Sequence, residues 1–173
     1  NANVTLSDAL QVLDNGESVV YNVNYIVSDG VESVQYVATF TVTGSNDAPV
    51  IESIATTMLE NDVSVTHALS SVDVEGDDVV YLIQNPPLDS DGYVTIDNVN
   101  DTFTFHAGPG LEGMQAGEFR IVEFTYVATD GKDTSAPQTV QVTIEGQNDA
   151  PVISAVSIVK GEDDGTQTFA LAV

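Results

Sequence analysis

Nearly all the side chains of this sequence that could do chemistry are oxygen donors. The phrase Asn46-Asp47-Ala48-Pro49-Val50 returns as Asn148-Asp149-Ala150-Pro151-Val152, and each copy sets an amide beside a carboxylate between two strand-like runs. A further concentration is the acidic loop Asp73-Val74-Glu75-Gly76-Asp77-Asp78. Carboxylate and carbonyl oxygens are the ligands of hard cations such as calcium. Other chemistry is poorly supplied. There is no cysteine, hence neither a thiol nucleophile nor a disulfide. His67 and His106 have no second His or Cys at zinc spacing and read as packing or solvated residues. No Ser/His/acid motif, phosphate loop or cofactor fingerprint is present. A glycosidase needs two carboxylates about 5–9.5 Å apart in a cleft, which abundant acids alone do not supply. The sequence therefore reads as non-enzymatic. Asp89-Ser90-Asp91-Gly92 and Glu162-Asp163-Asp164-Gly165 read as plain surface turns. No EF-hand is present, since the loop position that requires a bidentate Glu falls on Asn100 counted from Asp89 and on Gln84 counted from Asp73.

The two phrases lie 102 residues apart, and Tyr25 to Tyr126, Asp29-Gly30 to Asp130-Gly131 and Gly16 to Gly117 keep an interval of 101. Solenoid repeats have periods of roughly 20–50 residues, so an interval this long marks a repeated domain. Within each phrase proline fixes φ and removes an amide donor, and it pushes the preceding alanine toward extended geometry. The phrase is thus an extended, stiff connector. The 173 residues are 42% hydrophobic and carry 27 acidic against 3 basic side chains, a net charge of −24. Such a surface repels nucleic acid and anionic lipid and attracts cations. Its acids are interleaved with Val, Ile, Tyr and Phe, which predicts a folded protein with an acidic skin and not a disordered one. No stretch approaches the roughly 18–20 apolar residues of a membrane span, and the N-terminus shows no signal-like pattern.

Valines and tyrosines alternate through residues 19–27, Ser28-Asp29-Gly30 turns the chain, and residues 34–42 run back, which predicts a hairpin. Residues 47–148 carry strand patterns near 50–59, 63–69, 79–83, 93–96, 103–105, 119–128 and 139–144, with Asn85-Pro86-Pro87 and the Gly108–Gly117 segment as breaks. About seven short strands in a hundred residues with no convincing helix predict an all-β, tandem immunoglobulin-like β-sandwich. The expected domains are 1–46, the C-terminal part of one repeat; 47–148, a complete repeat; and 149–173, the N-terminal part of the next, in which Val152-Ile153 matches Val50-Ile51. The other parse, two domains divided near Asn85-Pro86-Pro87, would put the repeated phrase inside domains.

The endings Tyr-Ile-Val-Ser-Asp-Gly through Asn-Asp-Ala-Pro-Val (25–50) and Tyr-Val-Ala-Thr-Asp-Gly through Asn-Asp-Ala-Pro-Val (126–152) resemble the VCBS and cadherin-like tandem repeats of very large bacterial RTX-type surface adhesins, exported by type I secretion. The resemblance implies a secreted or surface-anchored, calcium-dependent extender of cadherin-like fold that supports adhesion and biofilm formation. It implies metal ligands at Glu60, at Asp73 and Glu75 with Glu75 where an aspartate is usual, at Asp130, and at the linkers Asn46-Asp47 and Asn148-Asp149. Glu112 is a weak match to that family's second acidic pair. Asp73 and Glu75, joined by Asp47 and Asp130, would on that resemblance provide an oxygen cluster of the kind calcium requires, while the plain alternative is that Asp-Gly and Asn-Asp are good turn formers.

The expected partners are calcium ions and neighbouring repeats, with neither nucleic acid nor membrane insertion. A different function is a calcium-dependent glycan- or peptide-binding module, which an exposed aromatic patch beside a metal would mark. Sheet edges left open in the partial repeats could also pair between molecules by strand exchange.

Overall fold

In a computed structural model, residues 10–151 together with 159, 161–163 and 165 are described. The strand expected near residues 4–6 and most of the restarted pattern after 151 lie outside them. The alternation of residues 19–27 is realised as a long antiparallel hairpin of β1 (Ser18–Ser28) and β2 (Ser33–Thr43). At its tip the Asp29 carboxylate accepts from the amides of Val31 (2.9 Å) and Glu32 (2.8 Å), and Gly30 takes φ +94°. Register pairs Tyr21 with Phe40 and Tyr25 with Tyr36. One face of the hairpin is therefore apolar, and it is uncovered among the described residues, Tyr25 being 46% exposed and Tyr36 50%.

The next hundred residues form a sandwich. One layer has the order β4 (Ile54–Leu59), β11 (Gln138–Glu145), β10 (Phe119–Thr129), β7 (Val80–Asn85), and the short pair β3 (Val50–Ile51) and β6 (Ser71–Val72) forms a two-stranded sheet of its own. The opposite layer is β5 (Ser64–Ala68), β9 (Thr102–Ala107), β8 (Gly92–Asp97). All pairings are antiparallel except β4 with β11, which run parallel from Val140 opposite Ile54 to Glu145 opposite Leu59. A three-residue 3-10 turn (Pro109–Leu111) interrupts the glycine-rich segment.

Period-two patterning sends Val122, Phe124, Tyr126 and Ala128 of β10 and Val140, Val142 and Ile144 of β11 inward against Phe103 and Phe105 of β9. Phe103 meets Phe124 edge-on, with ring centroids 5.4 Å apart. Burying side chains of this size contributes about 1.5–3 kcal/mol each. The core draws on residues from both sides of Asn85-Pro86-Pro87, from Ile51 to Ile144, so a division there would cut through one hydrophobic core. His67 stacks on Phe103 and His106 on Tyr93, packing roles in both cases.

The expected plain surface turn at 89–92 is different in kind. Asp91 is 8% exposed and its carboxylate is bound by Arg120, whose guanidinium also donates to the Gly110 carbonyl (3.1 Å). Gly92 takes φ +138° with the His106 carbonyl oxygen 2.1 Å from where a Cβ would stand, so only glycine fits. Arg120 neutralises a carboxylate that the close approach of two loops removes from water. In the 162–165 turn, Glu162 and Asp163 are exposed.

Candidate metal centre

The two short pairings define one end of the sandwich. Because Val50 pairs with Val72, the linker before β3 and the acidic loop after β6 leave the sheet together. Because Thr129 pairs with Val80, Asp130 emerges beside the end of that same loop. Asn46 closes the assembly. Its Nδ2 donates to Asp130 Oδ2 (3.0 Å), Asp133 Oδ2 (2.7 Å) and the Asp47 carbonyl (3.2 Å). Asp130 Oδ1 in turn accepts from the amides of Lys132 (2.6 Å) and Asp133 (2.7 Å). The Asn46 amide foremost, then these backbone donors, hold the Asp130 carboxyl below the usual range. In the acidic loop Asp73 Oδ1 accepts from the amides of Gly76 and Asp77, each at 3.0 Å, in a turn that Gly76 makes with φ +83°.

These bonds leave a remainder. Asn46 Oδ1, Asp73 Oδ2 and both carboxylate oxygens of Glu75 are buried without a hydrogen-bond partner. Unsatisfied buried oxygens are uncommon and call for an unseen water or ion, and carboxylate oxygens are the costliest kind to leave bare. The set is all oxygen, anionic and partly amide, which suits calcium and not zinc or copper. Among the described residues no three His, Cys, Asp or Glu side chains are already drawn together as a metal cluster. An ion here would therefore enlist Asn46 and backbone carbonyls and pull the carboxylates inward. Asp47 is exposed in the linker, and Pro49 after it is buried.

The opposite end is built around Glu60, which is 4% exposed. Glu60 Oε1 accepts from the Met114 amide (2.6 Å) and Oε2 from the Gln147 amide (3.0 Å). Donation from Gln147, then from Met114 and Gly113, holds its carboxyl below the usual range. Beyond it Asn148 Nδ2 donates to the Asp149 carbonyl at 3.2 Å, as Asn46 does to that of Asp47. Asn148 and Asp149, both exposed, line an open cleft of about 410 Å³ with residues 113–116 and Gln147. Glu112 is exposed just after the 3-10 turn.

A family model described as a bacterial Ig domain matches residues 46–143, more than half the chain, beginning at the linker asparagine and ending in β11. The chain belongs to the bacterial Ig domain family. No curated protein matches it. Among solved structures, mouse clustered protocadherin EC1-3 overlaps 75% of this chain at 13% identity and a TM-score of 0.45, this chain spanning 43% of that one. Human mucin-like protocadherin EC1-2 overlaps 78% at 13% identity and a TM-score of 0.45, with 94% of that chain covered. The human desmocollin-1 ectodomain overlaps 72% at 13% identity and 0.40, with 26% covered.

The Ig domain distributes the eight expected ligands between its two ends. Asn46, Asp47, Asp73, Glu75 and Asp130 lie at one. Glu60, Asn148 and Asp149 lie at the other, about 30 Å away along an eleven-residue strand. Sequence reasoning missed Asp133, which binds Asn46, and Lys132, which pairs with Asp14 and Asp77. Their signal was the Asp130-Gly131-Lys132-Asp133 turn, in which side chains beyond the Asp-Gly pair face the linker.

Proposed function

We propose that this bacterial Ig domain chain is a calcium-stiffened extender of a large bacterial surface adhesin of the VCBS and RTX kind, secreted and held at the cell surface, where it supports adhesion and biofilm formation. In this reading 1–46 is the C-terminal part of one repeat, 47–148 a complete repeat and 149–173 the N-terminal part of the next, joined at the Asn-Asp linkers. It involves no catalytic step. The observation that carries it is the set of four buried, unpartnered oxygens on Asn46, Asp73 and Glu75 beside Asp130. Bare carboxylates 4 Å apart repel by roughly 4 kcal/mol at an effective dielectric of 20. Calcium supplies the charge that offsets this repulsion and a reason for the linker and the sandwich to hold one angle. The linker brings Asn46 and Asp47, and the sandwich brings Asp73, Glu75 and Asp130. Glu60, Asn148 and Asp149 would do the same at the following joint.

The test is calorimetric titration of calcium into chelator-stripped protein, with magnesium as control. Saturable calcium heat at about 10⁻⁴–10⁻³ M, the range of extracellular modules, and its loss in Asp73→Ala, support the reading. Absence of calcium heat overturns it.

A further inference from the structure

Lys132 is one of only three basic residues in a chain of net charge −24, and it faces across the joint. Its Nζ lies 2.7 and 2.8 Å from the two carboxylate oxygens of Asp14, and 2.8 Å from Asp77 Oδ2 in the acidic loop. Asp14 opens the turn leading into β1, whereas Asp77 and Lys132 belong to the sandwich. We propose that Lys132 is a built-in cation that clasps the sandwich to the preceding unit and holds this joint aligned without a divalent ion.

The clasp stands on a scaffold that recurs along the chain. In the turn before β1, Glu17 N donates to the Asp14 carbonyl at 2.9 Å and Gly16 takes φ +87°; in the turn before β10, Glu118 N donates to the Gln115 carbonyl at 2.9 Å and Gly117 takes φ +87°. Gly44 closes on the first turn through Glu17 and Gly146 on the second through Glu118, both at 2.9 Å, and a Cβ on either glycine would strike the carbonyl oxygen of Asp14 or Gln115. The carboxylate of Asp14 is thus delivered to the joint by rigid backbone contacts. Its counterpart in the second turn, Gln115, carries no charge, and the counterpart of Lys132 in the first repeat is Val31, 93% exposed. The clasp therefore belongs to this joint and not to the repeat as such.

Each of these half-exposed ion pairs is weak when isolated. One ammonium shared by carboxylates from two bodies couples their orientation because releasing either leaves that carboxylate among like charges. Lys132 also donates its backbone amide to Asp130, and Asp77 donates its own to Asp73. The clasp and the candidate calcium ligands thus share a framework, yet the clasp needs only that two repeats meet at Asn46-Asp47, not that calcium binds there.

The experiment measures the distance distribution between spin labels on Val31→Cys and Val99→Cys, both exposed positions in a cysteine-free chain, by pulsed dipolar spectroscopy on the full 173 residues in chelator. We expect a narrow distribution with Lys132, retained in Lys132→Arg, at least twofold broader in Lys132→Gln and in Asp14→Asn, and no broader still when the two are combined. High salt should broaden the parent protein in the same way. An unchanged thermal melt confirms that the variants fold. Equal widths for the parent and Lys132→Gln in chelator overturn the proposal. Added calcium reads the other hypothesis separately: narrowing of Lys132→Gln supports a calcium joint, and failure to narrow counts against it while leaving the chelator comparison intact.

Discussion

The Tyr126 hydroxyl donates a 2.6 Å hydrogen bond to the carbonyl of Glu52, tying the middle of β10 to the link between β3 and β4. Burial, then the neighbouring Tyr81 and Glu52, push the phenol from its usual 10 to about 12. The fold thus favours the neutral phenol. Its contribution is full below the unfolded value near 10 and is lost as pH rises from there through 12, a change of about 2 kcal/mol. Denaturant midpoints measured between pH 9 and 12 should fall along this course in the parent and more shallowly in Tyr126→Phe.

Glu75→Gln should act with opposite sign in the two ionic states. In chelator, removing a buried unpartnered charge should stabilise by about 1 kcal/mol, visible as a melting temperature about 4–8 °C higher for a domain near 100 residues. In millimolar calcium the variant should lose most of the metal-dependent gain. Scanning calorimetry in both buffers checks this, and the same sign in both would contradict a cation role for Glu75.

Glu60 gives an acid dependence. Its folded carboxyl lies below the usual range, so its stabilisation is present above the unfolded value and is lost as pH falls through the folded one. Acid unfolding followed by circular dichroism should begin at higher pH in the parent than a fold without this dependence would show, and Glu60→Gln should be weaker at pH 7 yet flatter below pH 5. Glu60→Ala, which leaves two amides bare, should be the least stable.

Arg120→Leu strands the Asp91 carboxylate, whose side chain is 11% exposed. The cost should be about 3 kcal/mol by chemical denaturation. Asp91→Asn combined with Arg120→Leu should be less destabilised than Arg120→Leu alone, since the pair acts as a unit.

Much of the fold was legible because it is locally encoded. Alternation in residues 19–27 marked β1, and Asn85-Pro86-Pro87 marked the end of β7. The site was legible where its residues are close in sequence, as in the Asp73-to-Asp77 loop. It was opaque where distance in sequence is large. The burial of Asp91 depends on Arg120, 29 residues away, and overrides the turn propensity of Asp-Ser-Asp-Gly. Asp14, one of the two partners of Lys132, lies 118 residues away from it. The division of the eight expected ligands between two ends follows from strand direction, which spacing does not state.

The parallel pairing of β4 with β11 has a mechanical consequence. Chain enters near the start of β4 and leaves from the end of β11, so a pull applied through the two linkers drags these neighbours along their lengths in opposite directions. Six registered residue pairs, from Ile54–Val140 to Leu59–Glu145, then bear the load together in shear and do not unzip one at a time. A repeat built this way resists tension best along the axis on which its neighbours would pull it.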